Sequence, residues 1–422
     1  MHGKKARLVS LIVLTLTVVF GLAAVSTQSA QAQTYELLHS FRGSPDGSLP
    51  SASMILDSKG NFYGTTEGGG NEACNYYGPH GQVQGCGTVF KLDAGGRETV
   101  LYTFAGGTDG ANPAAGVIRD SEGNLYGTTA SGGAYANGTV FKLSKAGVET
   151  VLHAFTGGSD GAVPLGGLIE YKGNLYGTTF DGGVRNGGCG VVFRVSKTGK
   201  ETVLYTFCLG NSDLDGAQPA AGLIRDAKGN LYGTTEFGGA GGVGTVFKLT
   251  KAGKETVLYN FCSQPSCTDG EFPSAGVVMN ARGNLYGTTF WGGTQGCYQG
   301  NGCGVVFELS KAGTETVLYT FCPGGNSCAD GAWPSGGLIE DATGNIYGTT
   351  SQGGASNWGA VFKLSPTGTE NVLYSFTGTA DGAYPFAGVI QDAKGRLYGS
   401  AYGGGDPGCA TFGCGTVWKL AP

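Results

Sequence analysis

Histidine is nearly missing from this chain, with four in 422 residues. Methionine and tryptophan are sparse too, at 3 and 4, and only 14% of residues are charged. So few histidines leave little material for imidazole metal sites or for acid–base catalysis. No G-x-S-x-G, H-E-x-x-H or P-loop pattern occurs, which removes common hydrolase, zinc-protease and nucleotide signatures. Lys and Arg number 26 against 31 Asp and Glu, without a basic cluster in the body of the chain, so nucleic acid is not an expected partner. Past residue 32 no apolar run is long enough to span a bilayer, and no stretch reads as a long amphipathic helix.

Glycine, by contrast, is abundant, at 82 residues. Aromatics at 11% and hydrophobics at 40% still supply a core, so this is not a disordered Gly-rich tract. Glycine together with Tyr, Phe, Thr and Val points to many short strands joined by tight turns. The first 32 residues stand apart. Lys4, Lys5 and Arg7 precede an uncharged apolar run from Leu8 to Val25, and Ala30 and Ala32 form an A-x-A site. This predicts a secretory signal peptide cleaved after Ala32, although the long apolar run would also suit a retained anchor. Its loss leaves 23 cations against 31 acids, a charge of −8. No membrane span is expected in the mature chain, which reads as a soluble monomer, secreted or held in the cell envelope.

One pattern recurs seven times. Its clearest piece, N-[LFI]-Y-G-T-T, appears at 61–66, 124–129, 174–179, 230–235, 284–289 and 345–350, with a worn copy, RLYGSA, at 396–401. The tyrosines are spaced by 63, 50, 56, 54, 61 and 51 residues, periods that belong to propellers or solenoids. Each copy is flanked by three more strand-like pieces: an apolar run such as AGLIRD before it, then GTVFKL and ETVLYTF after it. Naming these strands a to d, turns of the type D-x-x-G-N join a to b, and S-K-x-G-x-E joins c to d. Seven GTVFKL-type strands occur, but only six are followed by an ETVLYTF-type strand. The missing copy is YELLHSF at 35–41. The expectation is an all-β, seven-bladed β-propeller of four antiparallel strands per blade over residues 33–422. The N-terminal strand would complete the last blade and close the ring.

The repeat D-x-x-G-N-L-Y-G-T-T…G-G…G-T-V-F-K-L…E-T-V-L-Y-x-F resembles the GloVer (Gloeobacter/Verrucomicrobia-type) tandem repeat of bacterial exported proteins, across essentially all of residues 34–422. More loosely, its D-x-x-G-N-L-Y segment is similar to blades of NHL-type propellers. The resemblance implies an extracellular or envelope-associated propeller and carries over no catalytic residue.

The a–b and c–d turns are short and nearly uniform, whereas the b–c and d–a connections vary. These two sets lie on opposite faces of a propeller disc, so the b–c/d–a face is the candidate working face. All twelve cysteines fall there, and an even number in an exported chain reads as six disulfides. Cys74–Cys86, Cys262–Cys267 and Cys409–Cys414 are close pairs, and Cys189 and Cys208 lie at opposite ends of one hairpin. Cys297, Cys303, Cys322 and Cys328 can pair as 297–303 with 322–328, or as 303–322 with 297–328. No metal or other cofactor is expected.

The d–a loop carries D-G-x-x-P in every blade, starting at Asp46, Asp109, Asp160, Asp215, Asp269, Asp330 and Asp381. It could form a ring of carboxylates for a cation or a sugar, but sevenfold repetition favours a turn. The position before the proline reads Leu49, Asn112, Val163, Gln218, Phe272, Trp333 and Tyr384. The b–c loops add Phe180, Phe237, Phe290, Trp291 and Tyr402. Of these rings Trp333, Tyr384, Phe272, Trp291, Tyr402 and Phe237 are the candidate ligand-binding residues, able to stack on sugar rings or seat a protein partner, unless they simply pack between blades. His39 and His153 take the tyrosine position of strand d and read as strand packing; His80 lies in the largest loop. Glu67, Asp181 and Glu236 follow the T-T pairs and could supply a carboxylate pair for a glycosidase or lyase. With no catalytic residue assigned, the reading is a non-enzymatic binding module for carbohydrate or a cell-surface protein. Alternatives are a carbohydrate-active enzyme working on the same face and a structural envelope protein.

Overall fold

The computed structural model describes residues 33–422 except 79–80, 184–187, 210–211, 295, 298–299, 326–327 and 410–411. The leader segment and His80 therefore lie outside the described residues. The described chain forms seven four-stranded antiparallel sheets and one two-stranded hairpin. Blade 1 runs from strand a at Ile55–Leu56, through b at Phe62–Thr66 and c at Thr88–Leu92, to d at Glu98–Thr103. The other blades repeat this order. In blade 7 the outermost strand is Thr34–Ser40, which pairs antiparallel with Thr416–Ala421, from Thr34 opposite Ala421 to Ser40 opposite Thr416.

Each recurring residue has a definable task. The glycine of N-L-Y-G-T-T sits where a Cβ would strike the aromatic ring of strand c: Gly64 against Phe90, Gly127 against Phe141, and so on to Gly399 against Trp418. That ring is fully buried and meets, edge to face, the phenylalanine ending strand d of the preceding blade. Phe104–Phe141 and Phe261–Phe307 lie 5.2 and 5.1 Å apart between ring centres. At the seam the same contact joins Phe41 to Phe90, at 5.1 Å. Edge-to-face pairs of this kind add about 0.5–1.5 kcal/mol each beyond the area they bury.

The two threonines divide their work. The first reaches the next blade, as Thr65 donates to the Ala115 carbonyl at 2.9 Å and Thr349 to that of Ala387 at 2.8 Å. The second bonds across its own sheet, as in Thr66 to Thr88 at 2.9 Å. In the a–b turns Asp57 accepts from the Lys59 and Asn61 N–H groups, the Asn61 amide and the Tyr63 hydroxyl. Burial works against its charge, but these hydrogen bonds hold the carboxyl down at about 2.

All twelve cysteines are bonded: 74–86, 189–208, 262–267, 297–303, 322–328 and 409–414. Of the two arrangements open for the blade-5 quartet, the local one is present. The four sulfurs still lie within 4.8 Å of one another.

Candidate functional site

The D-G-x-x-P loops explain how the ring is held and what its open face presents. Each aspartate turns back on strand d: Asp109 accepts from the Tyr102 hydroxyl at 3.0 Å and the Ala105 N–H at 2.8 Å, and Asp330 from the Tyr319 hydroxyl and Cys322 N–H, both at 2.8 Å. Where strand d carries histidine, His153 and His39 stand in the tyrosine's place, 3.2 and 3.6 Å from Asp160 and Asp46. Burial lowers the His153 pKa. Each of these carboxylates is held in a turn against its strand d, in keeping with the turn reading of the motif.

The residue before each proline was singled out for its side chain, aromatic in the last three blades, and its backbone proves unusual. Leu49, Asn112, Val163, Gln218, Phe272, Trp333 and Tyr384 all adopt left-handed conformations, with φ between 53° and 61°. The strain is held because both backbone groups are used. Trp333 donates its N–H to the Cys303 carbonyl of the preceding blade at 2.8 Å and accepts from the Ser351 N–H of its own at 3.1 Å. The other six repeat this clasp, including Leu49, which reaches Cys414 across the seam.

Inside the ring, residues of all seven blades, drawn from strands a and from the b–c and d–a loops, line one axial cavity of about 1320 Å³. This exceeds the ~300–1,000 Å³ usual for small-ligand pockets and suits an extended ligand. Four of the six aromatic candidates, Trp333, Tyr384, Tyr402 and Phe237, line it. Phe272 and Trp291 are not among its lining residues. They pack on each other at 5.2 Å, and Phe272 packs on Phe237 at 5.3 Å. Rings of blades 5 to 7 form one wall: Phe290 stacks with Trp333 at 5.5 Å, and Tyr384 lies against Phe386 and Phe412 at 6.3 and 5.6 Å. The candidate rings that line the cavity thus also pack on one another.

The three acids after the T-T pairs also reach this cavity, from blades 1, 3 and 4. Glu67 is 1% exposed, and burial pushes its carboxyl up to about 7, against a hydrogen bond from Ser51. Burial alone pushes Glu236 to about 7. Asp181 is raised by burial despite the Gln218 amide donating to it at 3.2 Å. Sequence reasoning missed Tyr76, which enters the cavity from the blade-1 hairpin Asn75–Gly78 and Gly81–Gln84. Burial first, and then the charges of Glu67 and Asp181, push its phenol up to about 12. The unusual length of the b–c loop in blade 1 was the available signal.

No match to a curated protein was found. Among solved structures, the fold is similar to an extracellular domain assigned to a one-component system from B. thetaiotaomicron (10% identity, TM-score 0.52, covering 91% of this chain and 40% of that one). It is also similar to a fungal alcohol oxidase of the AA5 family solved with copper (13% identity, TM-score 0.52, 93% and 76%). The chain spans about two fifths of the first of these. At such identities the likeness is one of fold alone. The family described as the Gloeobacter/Verrucomicrobia repeat matches residues 17–224, 75–298 and 190–418. With its repeat matched from end to end and its seven blades built from that repeat, the chain belongs to the Gloeobacter/Verrucomicrobia repeat family.

Proposed function

We propose that this chain is an exported carbohydrate-binding propeller that holds its ligand in the axial cavity without changing it. Residues 1–32 would serve as its secretory leader. The observation that carries the reading is the cavity's mixed lining, with Trp333, Tyr384 and neighbouring rings from blades 5 to 7 and Glu67, Asp181 and Glu236 from blades 1, 3 and 4. Rings stack on the C–H faces of sugars, and carboxyl groups bond their hydroxyls. The open cavity argues against a face filled by its own loops, as a purely structural role would allow. A glycan array on oxidised, secreted protein beside Trp333→Ala tests this. Binding lost in the variant supports it; no binding to any glycan sinks it.

A second reading, a carbohydrate-active enzyme, is favoured by one specific observation. Glu67 and Glu236 are both pushed to about 7, where a carboxylic acid can protonate a leaving group near neutral pH. Release of reducing ends from an array-positive glycan, abolished by Glu236→Gln, would move the assignment there.

A further inference from the structure

The blade-5 quartet differs from the other disulfides. It is bonded as 297–303 and 322–328, yet all four sulfurs lie within 4.8 Å of one another. Across the two bonds, the Cys328 sulfur is 3.6 Å from that of Cys297 and 3.9 Å from that of Cys303. Among the described residues no other two disulfides gather in this way. Such contact is what exchange requires, because a thiolate released from one bond then faces a sulfur of the other.

Blade 3 provides the frame for a second pairing. There Cys189 and Cys208 are bonded with their Cα atoms 5.9 Å apart, inside the usual disulfide span. Cys303 and Cys322 occupy the equivalent repeat positions. Val191 pairs with Thr206 as Val305 pairs with Thr320. Phe207 donates its N–H to the Gly190 carbonyl and Phe321 to that of Gly304, both at 3.1 Å. Gln218 donates to the Cys189 carbonyl and Trp333 to that of Cys303, both at 2.8 Å. Cys208 and Cys322 are left-handed alike, at φ +60° and +54°. The backbone of blade 5 therefore suits a 303–322 bond, and Cys297 and Cys328 are already close enough to form the other.

We propose that the quartet is a thiol-exchange site, at which a low-molecular-weight thiol converts 297–303 with 322–328 into 303–322 with 297–328. Cys328 is the entry point, being partly exposed where Cys297, Cys303 and Cys322 are buried. The incoming thiolate attacks the Cys328 sulfur, forming a mixed disulfide and releasing Cys322 as thiolate. Cys322 attacks the Cys303 sulfur, which breaks 297–303, forms 303–322 and releases Cys297. Cys297 attacks Cys328, forms 297–328 and expels the original thiolate. Two disulfides enter and two leave, so no oxidant or reductant is consumed. The products differ in what they tie. The local bonds close the b–c loop and the d–a loop each on itself, whereas the crossed bonds join one loop to the other. Trp333 hangs from this joint by its bond to the Cys303 carbonyl and packs against the quartet, so the exchange acts on a wall of the axial cavity.

The test is disulfide mapping of the folded, oxidised chain after incubation with a small amount of reduced glutathione, quenched and digested in acid. Peptides joined as 303–322 and 297–328 should rise roughly tenfold or more over a thiol-free control, while the other four disulfides stay as they are. A quartet that returns only its local pairs overturns the proposal, and so does scrambling with cysteines of other blades, which would mean unfolding. Cys328→Ser supplies a second measurement that needs no added thiol. Its freed Cys322 should displace Cys297, so that mapping returns 303–322 and a free Cys297. Recovery of 297–303 with a free Cys322 in the folded variant overturns the exchange, and should the variant fail to fold, the glutathione experiment decides.

Discussion

Pro50 rests on the bare Cα of Gly415, at the opposite end of the chain, so closely that a methyl group there would overlap the proline ring. Six more pairs repeat the contact between successive blades: Gly87–Pro113, Gly138–Pro164, Gly190–Pro219, Gly244–Pro273, Gly304–Pro334 and Gly359–Pro385, where a Cβ would lie 2.5 to 2.8 Å from the proline Cδ. The proline of D-G-x-x-P and the glycine of G-T-V-F-K-L are thus one joint, made seven times.

Gly415→Ala should therefore damage the seam specifically. The position has φ +91°, which an L-residue resists, and the added methyl meets Pro50. A loss of about 2 kcal/mol or more is expected in chemical denaturation. Gly324→Ala, at an open loop position with nothing near its Cβ, should change little.

Val163 is the one β-branched residue in the left-handed clasp, at φ +54°. Asparagine tolerates this conformation and occupies it in blade 2 as Asn112. Val163→Asn should raise stability by about 1 kcal/mol, read as a higher unfolding midpoint. A lower midpoint would mean that cavity packing by the valine outweighs the strain.

Stability should fall as pH rises from about 5 to 8. Glu98, Glu149, Glu201, Glu255, Glu315 and Glu370 open their d strands half-buried, and burial, with the neighbouring D-G-x-x-P aspartate also opposing ionisation, pushes each up to about 7. A carboxyl whose folded pKa is raised binds more protons folded than unfolded between its two values, so stability declines across that window. Asp57 and Asp120 act oppositely. Held at about 2, they contribute stability above the usual aspartate range that is lost as pH falls through it. Thermal scans at pH 3, 5 and 8 should peak at pH 5, and a higher midpoint at pH 8 would contradict this account.

Mass mapping of an unreduced digest should return Cys297–Cys303 and Cys322–Cys328 alongside the four other pairs. Replacing Cys189 and Cys208 together by serine removes a crosslink of sequence separation 19 and should cost about 3 kcal/mol.

Almost every feature of the ring was legible because it recurs. Spacing of the N-L-Y-G-T-T copies predicts seven blades, and the displaced YELLHSF predicts the pairing of Thr34–Ser40 with Thr416–Ala421. The cavity was harder to read, because its residues are those that do not recur. Phe272 and Tyr384 occupy the same repeat position with nearly the same backbone, yet only Tyr384 lines the cavity. Side-chain direction there depends on neighbours such as Phe237 in the adjoining blade and Trp291 in its own, which a repeat alignment does not relate. Tyr76 comes from an insertion with no counterpart to compare. The left-handed clasp carried no glycine to mark it, since its strain is offset by hydrogen bonds between residues far apart in the chain.

Since Thr34 and Ala421 are paired neighbours, the fold is a circle that happens to be cut in one place. A short peptide joining the two ends, with new termini opened in an exposed c–d turn such as Lys251–Gly253, would yield a circular permutant with its blades and clasps in the same order around the ring. The cut could then be walked from blade to blade, placing a fused enzyme or tether at any chosen point of the rim while the cavity face stays clear.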